Sequence, residues 1–301
     1  MQNDKINFSL IIPIGLMLFS FFFGAGNLIF PPVLGQMAGE NIGWGMLGFC
    51  LSGVGFPLLG VLAMAMKQSD NPDSIAMPMH PLYARAVTIL CALAIGPLFA
   101  IPRTAAVSFD TGIHSLLPAS CEAIGLPVYT VFFFVLTYFF SINPSKIIGH
   151  IGKFLSPMLL ICLAVLVVCV FVNPTGSLKM PNPDFATSPF FRGFQEGYNT
   201  MDLLAAILFG SITIKAIEAQ GITDKKVLTK LCSYAGLIAA FFLAIIYAAL
   251  AYTGALSINV FGVIPNGATL LSKICTYYMG FGGQVVLALI ISVSYTHLTL
   301  P

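Results

Sequence analysis

No charged residue lies between Lys5 and Glu40, and this run includes the segment FFFGAGNLIFPP at positions 21–32. An uncharged run of this length can cross a lipid bilayer as a helix. Gly24 and Gly26 interrupt the run, and a glycine inside a helix costs about 1 kcal/mol relative to alanine. Unwound backbone in lipid must also find hydrogen-bond partners where water is absent. The segment therefore predicts a membrane helix that breaks where it lines a cavity and meets a polar ligand.

The composition places the whole chain in a membrane. Only 8% of the 301 residues are charged and 58% are hydrophobic, whereas soluble domains carry about 25% charged residues. The net charge of +2 comes without a basic cluster, which argues against nucleic acid as a partner. The seven cysteines are scattered and form no CxxC pair, so we interpret them as small buried side chains. No phosphate loop, zinc signature or nucleophile motif occurs, so we predict neither an enzyme nor a cofactor.

Charge-free runs predict eight membrane spans in an all-α, multi-pass protein, at residues 8–34, 42–66, 83–107, 127–141, 154–172, 194–215, 231–253 and 268–293. With the N-terminus in the cytoplasm, nine basic residues lie on the inner side: Lys5, Lys67, Arg85, Lys146, Lys153, Lys215, Lys225, Lys226 and Lys230. Only Lys179, Arg192 and Lys273 then lie outside. This positive-inside bias favours a cytoplasmic N-terminus.

A second interrupted span indicates an internal repeat. Polar and small residues interrupt the sixth span at 197–202, and Gly197 lies 173 positions after Gly24. The first five spans also end near residue 172, so we predict a five-helix unit that recurs with inverted topology. The units are residues 1–172, an outer loop at 173–193, and an incomplete second repeat at 194–293 with three helices. The oligomeric state is not indicated by the sequence.

The last residues, 294–301, change abruptly from an aliphatic helix to threonine, histidine and proline. They resemble read-through of a sequencing adapter, so we expect a non-native tail on a truncated chain. The alternative is a genuine short tail.

The first break predicts a binding site. Unwound half-helices expose N–H groups at a positive helix end, which suit a carboxylate. They also expose carbonyls, which together with the Asn27 side-chain oxygen suit a small cation such as Na+. We therefore expect the break at Gly24, Ala25, Gly26 and Asn27 to line a cavity for a polar ligand. The alternative is a glycine packing face between helices, although Gly24 and Gly26 do not share one helix face.

The second break contains the most deeply placed acid, Asp202. Carboxylates inside membrane spans are costly and usually functional, so Asp202 is predicted to coordinate a cation, bind a substrate ammonium or relay a proton. The alternative is an acid at the membrane interface. Glu196 is expected at the outer mouth as part of a gate. The predicted substrate contacts in this segment are Tyr198, Asn199 and Thr200, with Tyr198 alternatively in the aromatic belt.

The third constellation is GPLFAIPRTAAVSF at 96–109, where two prolines free backbone carbonyls within a span. Arg103 in this segment is predicted to be an outer gate or to balance an acid, with Glu196, Asp202 or Asp110 as its partner. The alternative is an arginine that extends to the membrane surface. Phe99 is expected to line an apolar substrate pocket.

FFFGAGNLIFPP, GPLFAIPRTAAVSF and EGYNTMDLLAAILFG together resemble the bacterial branched-chain amino acid carriers, the leucine/isoleucine/valine cation symporters, over residues 6–293. The resemblance implies the leucine-transporter fold, with five plus five inverted helices and usually two more. About eight of the expected twelve helices are then present. It further implies uptake of leucine, isoleucine or valine with Na+, or H+ in some members, by alternating access in the cytoplasmic membrane.

By the same resemblance, Gly24, Ala25, Gly26 and Asn27 contact the substrate, and carbonyls near Ser20 and Phe23, together with Asn27, face the sodium ion. Asp202 stays the candidate cation ligand that its position in the sixth span indicates. In related folds the eighth span supplies further hydroxyl ligands, but Thr296 and Thr299 lie in the tail and are not assigned this role. The chain as written is not expected to transport alone. Alternatives are a cation-coupled carrier for another small apolar solute, a channel, or a non-transporting membrane fragment.

Overall fold

The computed structural model describes residues 8–110, 122–141 and 156–298, and these ranges are helical without a strand. Lys5, Lys146, Lys153, Thr299 and the end of the predicted tail lie outside the described residues. The described chain forms thirteen α-helices: α1 Phe8–Phe22, α2 Ala25–Ala38, α3 Ile42–Cys50, α4 Phe56–Lys67, α5 Pro81–Leu93, α6 Ala100–Ser108, α7 Glu122–Ser141, α8 Ser156–Val172, α9 Pro183–Thr187, α10 Pro189–Tyr198, α11 Asp202–Glu218, α12 Lys225–Phe261 and α13 Gly267–Leu298.

The described part of each of the eight predicted spans is helical except at the two breaks and at Phe99, because long runs without charge favour helical backbone in an apolar environment. Among the described residues, three continuous helical segments are long and apolar enough to cross a membrane: Ala25–Lys67, Pro81–Ser108 and Lys225–Phe261. The bent pair α10 and α11 adds a fourth if it is one span. The all-helical membrane class is therefore confirmed, whereas the number of eight spans stays a prediction.

Short π-helical turns interrupt the second and third predicted spans, and the turn in the third span is kinked. The π-helical turn Leu51–Gly55 joins α3 to α4, and Ala94–Leu98 joins α5 to α6. Gly96 in the latter turn has non-helical backbone angles (φ −79°, ψ −113°), next to Pro97. Because proline has no backbone N–H to donate to the preceding turn of the helix, the hydrogen bonding of the third span is interrupted at this point, as predicted. The α13 helix, which covers the eighth predicted span, is also kinked, at Gly280 with φ +56°.

Helix α2 packs mainly on α12, and glycines allow the two backbones to touch. A Cβ atom on Gly35 would overlap the Ala251 carbonyl oxygen, and one on Gly254 would overlap the Pro32 carbonyl oxygen. A buried amide adds specific bonds at the same interface. Gln36 donates to Ser257 Oγ (2.9 Å) and to the Gly262 carbonyl (3.1 Å). Close backbone contact through small residues is the usual way in which membrane helices associate, and here it fixes the position of α2.

Helix α10 packs on α3 in the same way. Gly193 and Gly197 lie one turn apart on α10 and face the backbone of α3. A Cβ atom on Gly193 would overlap the Gly45 carbonyl, and one on Gly197 would lie against the Phe49 carbonyl and Ser52 Oγ. Thus α2 and α10, the helices next to the two breaks, are each held against a neighbouring helix by glycine contacts. Helices α3 and α12 are also joined by an aromatic contact: the ring of Tyr247 on α12 meets the ring of Phe49 on α3 edge to face at 5.3 Å.

Candidate functional site

The first predicted span is broken. Helix α1 ends at Phe22 and α2 begins at Ala25, with Gly24 in an extended conformation between them (φ −101°, ψ −173°). The Asn27 side-chain oxygen accepts a hydrogen bond from the Gly24 amide at 3.1 Å. The predicted interruption is therefore confirmed, but it is shorter than expected because Ala25 to Asn27 already belong to α2. The Asn27 oxygen caps the new helix, and its amide group points to the other break.

The sixth predicted span is broken as well. Helices α10 and α11 meet at an angle of 47°, with residues 199–201 between them. Met201 has φ +66°, an uncommon conformation for a side chain other than glycine. Gly197 was expected inside the break, yet it is a helical residue in the last turn of α10, where its missing side chain admits the backbone of α3. The unwound segment is held locally by Thr200, whose hydroxyl donates to the Gly197 carbonyl at 2.8 Å.

Asp202 joins the two breaks to α12. Its Oδ2 atom accepts hydrogen bonds from the Asn27 amide (2.6 Å) and the Tyr247 hydroxyl (3.4 Å). It also lies 3.1 Å from the Thr200 hydroxyl, which shares its one proton between Oδ2 and the Gly197 carbonyl. The Asn27 amide also donates to the Tyr247 oxygen. The carboxylate begins α11, so it lies at the positive end of that helix. Asp202 is only 5% exposed, which places it inside the protein and not at its surface.

Arg103 of α6 reaches the second break from the opposite side. Its Nη1 atom donates to the Asn199 carbonyl at 2.9 Å and its Nη2 atom to the Thr200 carbonyl at 3.4 Å. The guanidinium carbon lies 5.5 Å from the centre of the Phe30 ring, a distance that allows a cation–π contact. The side chain thus extends inward and not to the surface. Its partners are backbone carbonyls, which sequence reasoning did not consider.

The three acids predicted as partners of Arg103 take different positions. Asp202 attracts Arg103 electrostatically, but the two described side chains form no direct ion pair. Glu196 lies 3.5 Å from the Asn199 amide, and Asp110 accepts from Asn266 at 3.3 Å. Among these acids only Asp202 shares a cavity with Arg103.

A small cavity lies between the two breaks and α6. Its polar wall is formed by residues 24–27, Arg103, Thr104 and residues 200–202. Its apolar wall is formed by Phe21, Phe22, Ile95, Ala100, Ala205 and Phe209. The cavity volume is about 20 Å³, which is room for about one water molecule. Any larger ligand therefore requires the walls to move apart.

The cavity brings together most, but not all, of the predicted site residues. Gly24, Ala25, Gly26, Asn27, Arg103, Thr200 and Asp202 line it. Asn199 contributes its carbonyl to Arg103, while the predicted cation residues Ser20 and Phe23 are buried near the first break at 3% and 1% exposure. Glu196 lies outside the lining.

Phe99 and Tyr198 do not reach the cavity and are 56% and 51% exposed. Phe99 lies at the kink before α6 (φ −133°, ψ −59°), which directs it outward. Tyr198 is the last residue of α10. Its neighbour Gly197, and not Tyr198, lies on the face of α10 that packs on α3. The geometry therefore gives no support to their predicted contacts with a substrate.

Sequence reasoning missed Tyr247, Thr104 and Phe209. Tyr247 lies within a long apolar helix, is fully buried and contacts both Asn27 and Asp202. Its only sequence signal is a phenol in an uncharged run, and tyrosines in membrane spans are common at interfaces. Nothing in the sequence distinguishes Tyr247 from Tyr252, five residues further on.

Comparison with known proteins identifies relatives over most of the chain. Residues 8–299 match the model of a family described as branched-chain amino acid transport protein. The branched-chain amino acid permease BrnQ of Bacillus subtilis is 44% identical over 97% of this chain and 67% of its own length. The permease BraB of the same organism is 42% identical (94% and 63%), and BrnQ of Escherichia coli K12 is 37% identical (94% and 64%).

The chain thus spans about two thirds of the length of the curated relatives that it matches. These relatives are named as permeases and not as enzymes, which confirms the prediction that the chain is not an enzyme.

Proposed function

This chain belongs to the family of branched-chain amino acid transport proteins, and we propose that it carries leucine, isoleucine and valine across the bacterial cytoplasmic membrane. The family and the permease names of the relatives support the substrate class. The membrane location is supported by the apolar helices. The cytoplasmic position of the N-terminus rests on the distribution of basic residues in the sequence.

The meeting of two broken helices at one buried cavity is the observation that carries this proposal. The breaks lie in the first and sixth predicted spans, yet they share the cavity wall and the Asp202 hydrogen bonds. Two interrupted helices at corresponding places in two halves mark the binding site of many secondary transporters. This supports the proposed arrangement of five plus five inverted helices, with residues 1–172 as the first unit and 194–293 in the second.

The walls of the cavity suit a small amino acid with an apolar side chain. Helix ends and charged side chains form one wall, and Phe22, Ala205 and Phe209 belong to the other. Since the cavity has room for about one water molecule in this conformation, substrate entry requires helix movement. We therefore propose alternating access and not an open pore. A one-methylene difference in an apolar pocket is worth roughly 1–3 kcal/mol, so leucine, isoleucine and valine compete with one another.

Coupling to a cation is proposed at Asp202. All three side-chain hydrogen bonds that the described residues make to this carboxylate fall on Oδ2, so Oδ1 is the oxygen left for a cation. Na+ prefers oxygen ligands, as other hard cations do, and H+ is the alternative coupling ion. Ser20 and Phe23 stay proposed neighbours of the ion. The Asn27 oxygen is occupied by the Gly24 amide, so Asn27 would act by orienting the carboxylate.

Uptake of labelled leucine into proteoliposomes that contain the full-length gene product tests the proposal, because the chain spans about two thirds of the length of its relatives. We expect saturable uptake that an inward Na+ gradient or a pH gradient stimulates, and that isoleucine and valine inhibit. Empty liposomes and liposomes without a gradient are the controls. Absence of leucine uptake under both gradients would refute branched-chain amino acid transport. Non-saturable flux without cation stimulation would instead indicate a channel.

A further inference from the structure

One edge of the Arg103 guanidinium is left without strong hydrogen bonds. Nη1 makes a good bond to the Asn199 carbonyl at 2.9 Å, but Nη2 lies 3.4 Å from the Thr200 carbonyl. Nε is buried and has no hydrogen-bond partner among the described residues. An unpaired buried donor costs about 1–3 kcal/mol. This cost falls on Nε. Because Nε and Nη2 point in parallel from the same edge of the group, the unpaired Nε and the weakly bonded Nη2 together form a two-donor fork.

The charge of Arg103 is also only partly compensated. Asp202 attracts it across the cavity without a direct ion pair. The hydrogen bonds on the Asp202 carboxylate come from the uncharged side chains of Asn27, Thr200 and Tyr247. A buried charge without a close counter-charge is costly. The cavity wall near Arg103 therefore favours an anionic group.

The start of α2 strengthens this preference. Gly26 lies in the first turn of α2, where the helix end carries a partial positive charge. A Cβ atom on Gly26 would lie only 2.8 Å from Nη2 of Arg103. The glycine thus allows the guanidinium to lie directly against the positive end of the helix. Two positive groups side by side at the wall of one cavity form a site for a carboxylate.

We propose that the Nε–Nη2 edge of Arg103 binds the carboxylate of the amino acid substrate, an inference that rests on the proposed transport function. A guanidinium fork and a carboxylate form two parallel hydrogen bonds, which are stronger than neutral ones. The long Nη2 bond to Thr200 is the contact that is exchanged, while the Nη1 bond to Asn199 stays. Arg103 is then a substrate-binding residue that selects for a free carboxylate, and the apolar wall at Phe22 and Phe209 receives the side chain.

This assignment predicts how the site discriminates. A site that is built to bond one polar group strongly rejects analogues without it, because its own groups are left unpaired. Leucinol keeps the side chain and the ammonium group of leucine but has a hydroxyl in place of the carboxylate. We therefore expect leucinol to inhibit leucine uptake by the wild-type protein about 100-fold more weakly than unlabelled leucine does.

Competition by leucine and leucinol in proteoliposomes tests the inference with three variants. The quantity compared is the leucine–leucinol ratio, which is the inhibition constant of leucinol divided by that of leucine. Arg103→Gln removes the charge and the fork, and we expect it to raise the inhibition constant of leucine and to reduce this ratio at least about tenfold. Arg103→Lys keeps the charge without the fork and is expected to give an intermediate ratio. Arg192→Gln is the matched control, because Arg192 pairs with Asp184 at 3.1 Å near the surface with 46% exposure. It should keep the wild-type ratio.

The outcomes separate this inference from the proposed function. If the wild-type protein takes up no leucine, the proposed function fails. If it takes up leucine but Arg103→Gln keeps the wild-type leucine–leucinol ratio, only the role of Arg103 is overturned. If neither Arg103 variant folds, the inference is tested by the wild-type protein alone. Equal inhibition by leucine and leucinol then contradicts it, and inhibition by leucinol about 100-fold weaker than by leucine supports it.

Discussion

Replacing Gly35 by alanine is expected to destabilise the protein by forcing α2 away from α12. The added Cβ atom would overlap the Ala251 carbonyl oxygen and lie 2.7 Å from the Ala251 carbonyl carbon and 2.9 Å from the Ala255 nitrogen. These are backbone atoms of a long helix and cannot rotate away. Because ordinary contacts begin at 3.4 Å, the carbonyl carbon alone requires a separation of about 0.7 Å, and the overlapped carbonyl oxygen requires a larger one.

Overpacking of this kind costs about 1–3 kcal/mol. The exchange of glycine for alanine inside a helix stabilises the helix by about 0.5–1 kcal/mol and offsets part of this cost. The net loss is therefore about 0–2.5 kcal/mol, and it corresponds to a fall in unfolding temperature of up to roughly 10 °C. Gly43→Ala on α3 is the matched control, since nothing lies within 4 Å of its Cβ position. It should leave the unfolding temperature unchanged or raise it.

Thermal unfolding in detergent, followed with a thiol-reactive fluorescent dye, measures this difference. Cys232 and Cys275 are buried in the folded protein, so they react when the helices separate. Both variants are compared with the wild type at one heating rate. An unfolding temperature of Gly35→Ala at or above that of Gly43→Ala would show that α2 and α12 are not in backbone contact at Gly35.

Three further substitutions test the site. In the full-length gene product, Gly24→Leu should abolish leucine uptake while the protein still inserts, because a side chain fills the break; wild-type uptake in properly inserted protein would disprove the broken-helix site. Asp202→Asn should change the dependence of the initial uptake rate on Na+ or pH, since it removes the proposed cation ligand, and unchanged coupling would eliminate Asp202. Tyr247→Phe removes one hydroxyl from Asp202 and Asn27 and should raise the half-saturating cation concentration about fivefold, given about 1 kcal/mol per hydrogen bond. Tyr252→Phe on the same helix is its control and should behave like the wild type, because Tyr252 stacks on Phe171 away from the carboxylate; equal effects of both substitutions would contradict the role of Tyr247.

The two breaks could be predicted because glycine and an acid are costly within apolar spans. Gly24 marked the first break to within one residue. The second was predicted from Gly197, but this residue is helical and the chain unwinds at 199–201. The difference arises because Gly197 serves the contact with the Phe49 carbonyl of α3. A glycine that breaks a helix and one that admits a neighbouring backbone have the same sequence signature.

The partner of Arg103 could not be predicted in the same way. Sequence reasoning considered acids, because side-chain charges can be read from the sequence. The observed acceptors are the carbonyls of Asn199 and Thr200, which every residue possesses and which become available only where a helix is broken next to α6. Similarly, Phe99 was expected in the pocket for its apolar ring, but the kink before α6 directs it outward.

The sequence by itself determined that this chain is an all-helical membrane protein with two interrupted spans. The absence of charge, the position of glycines and the length of an apolar run are local features of the chain, so the helices and breaks that they produce can be predicted without the fold. Only the tertiary structure decided that the breaks meet at one cavity, that Asp202 joins α2, α11 and α12, and that one edge of Arg103 stays without strong bonds. These contacts link residues up to 220 positions apart, and they depend on helix packing angles and backbone approach that no local pattern encodes.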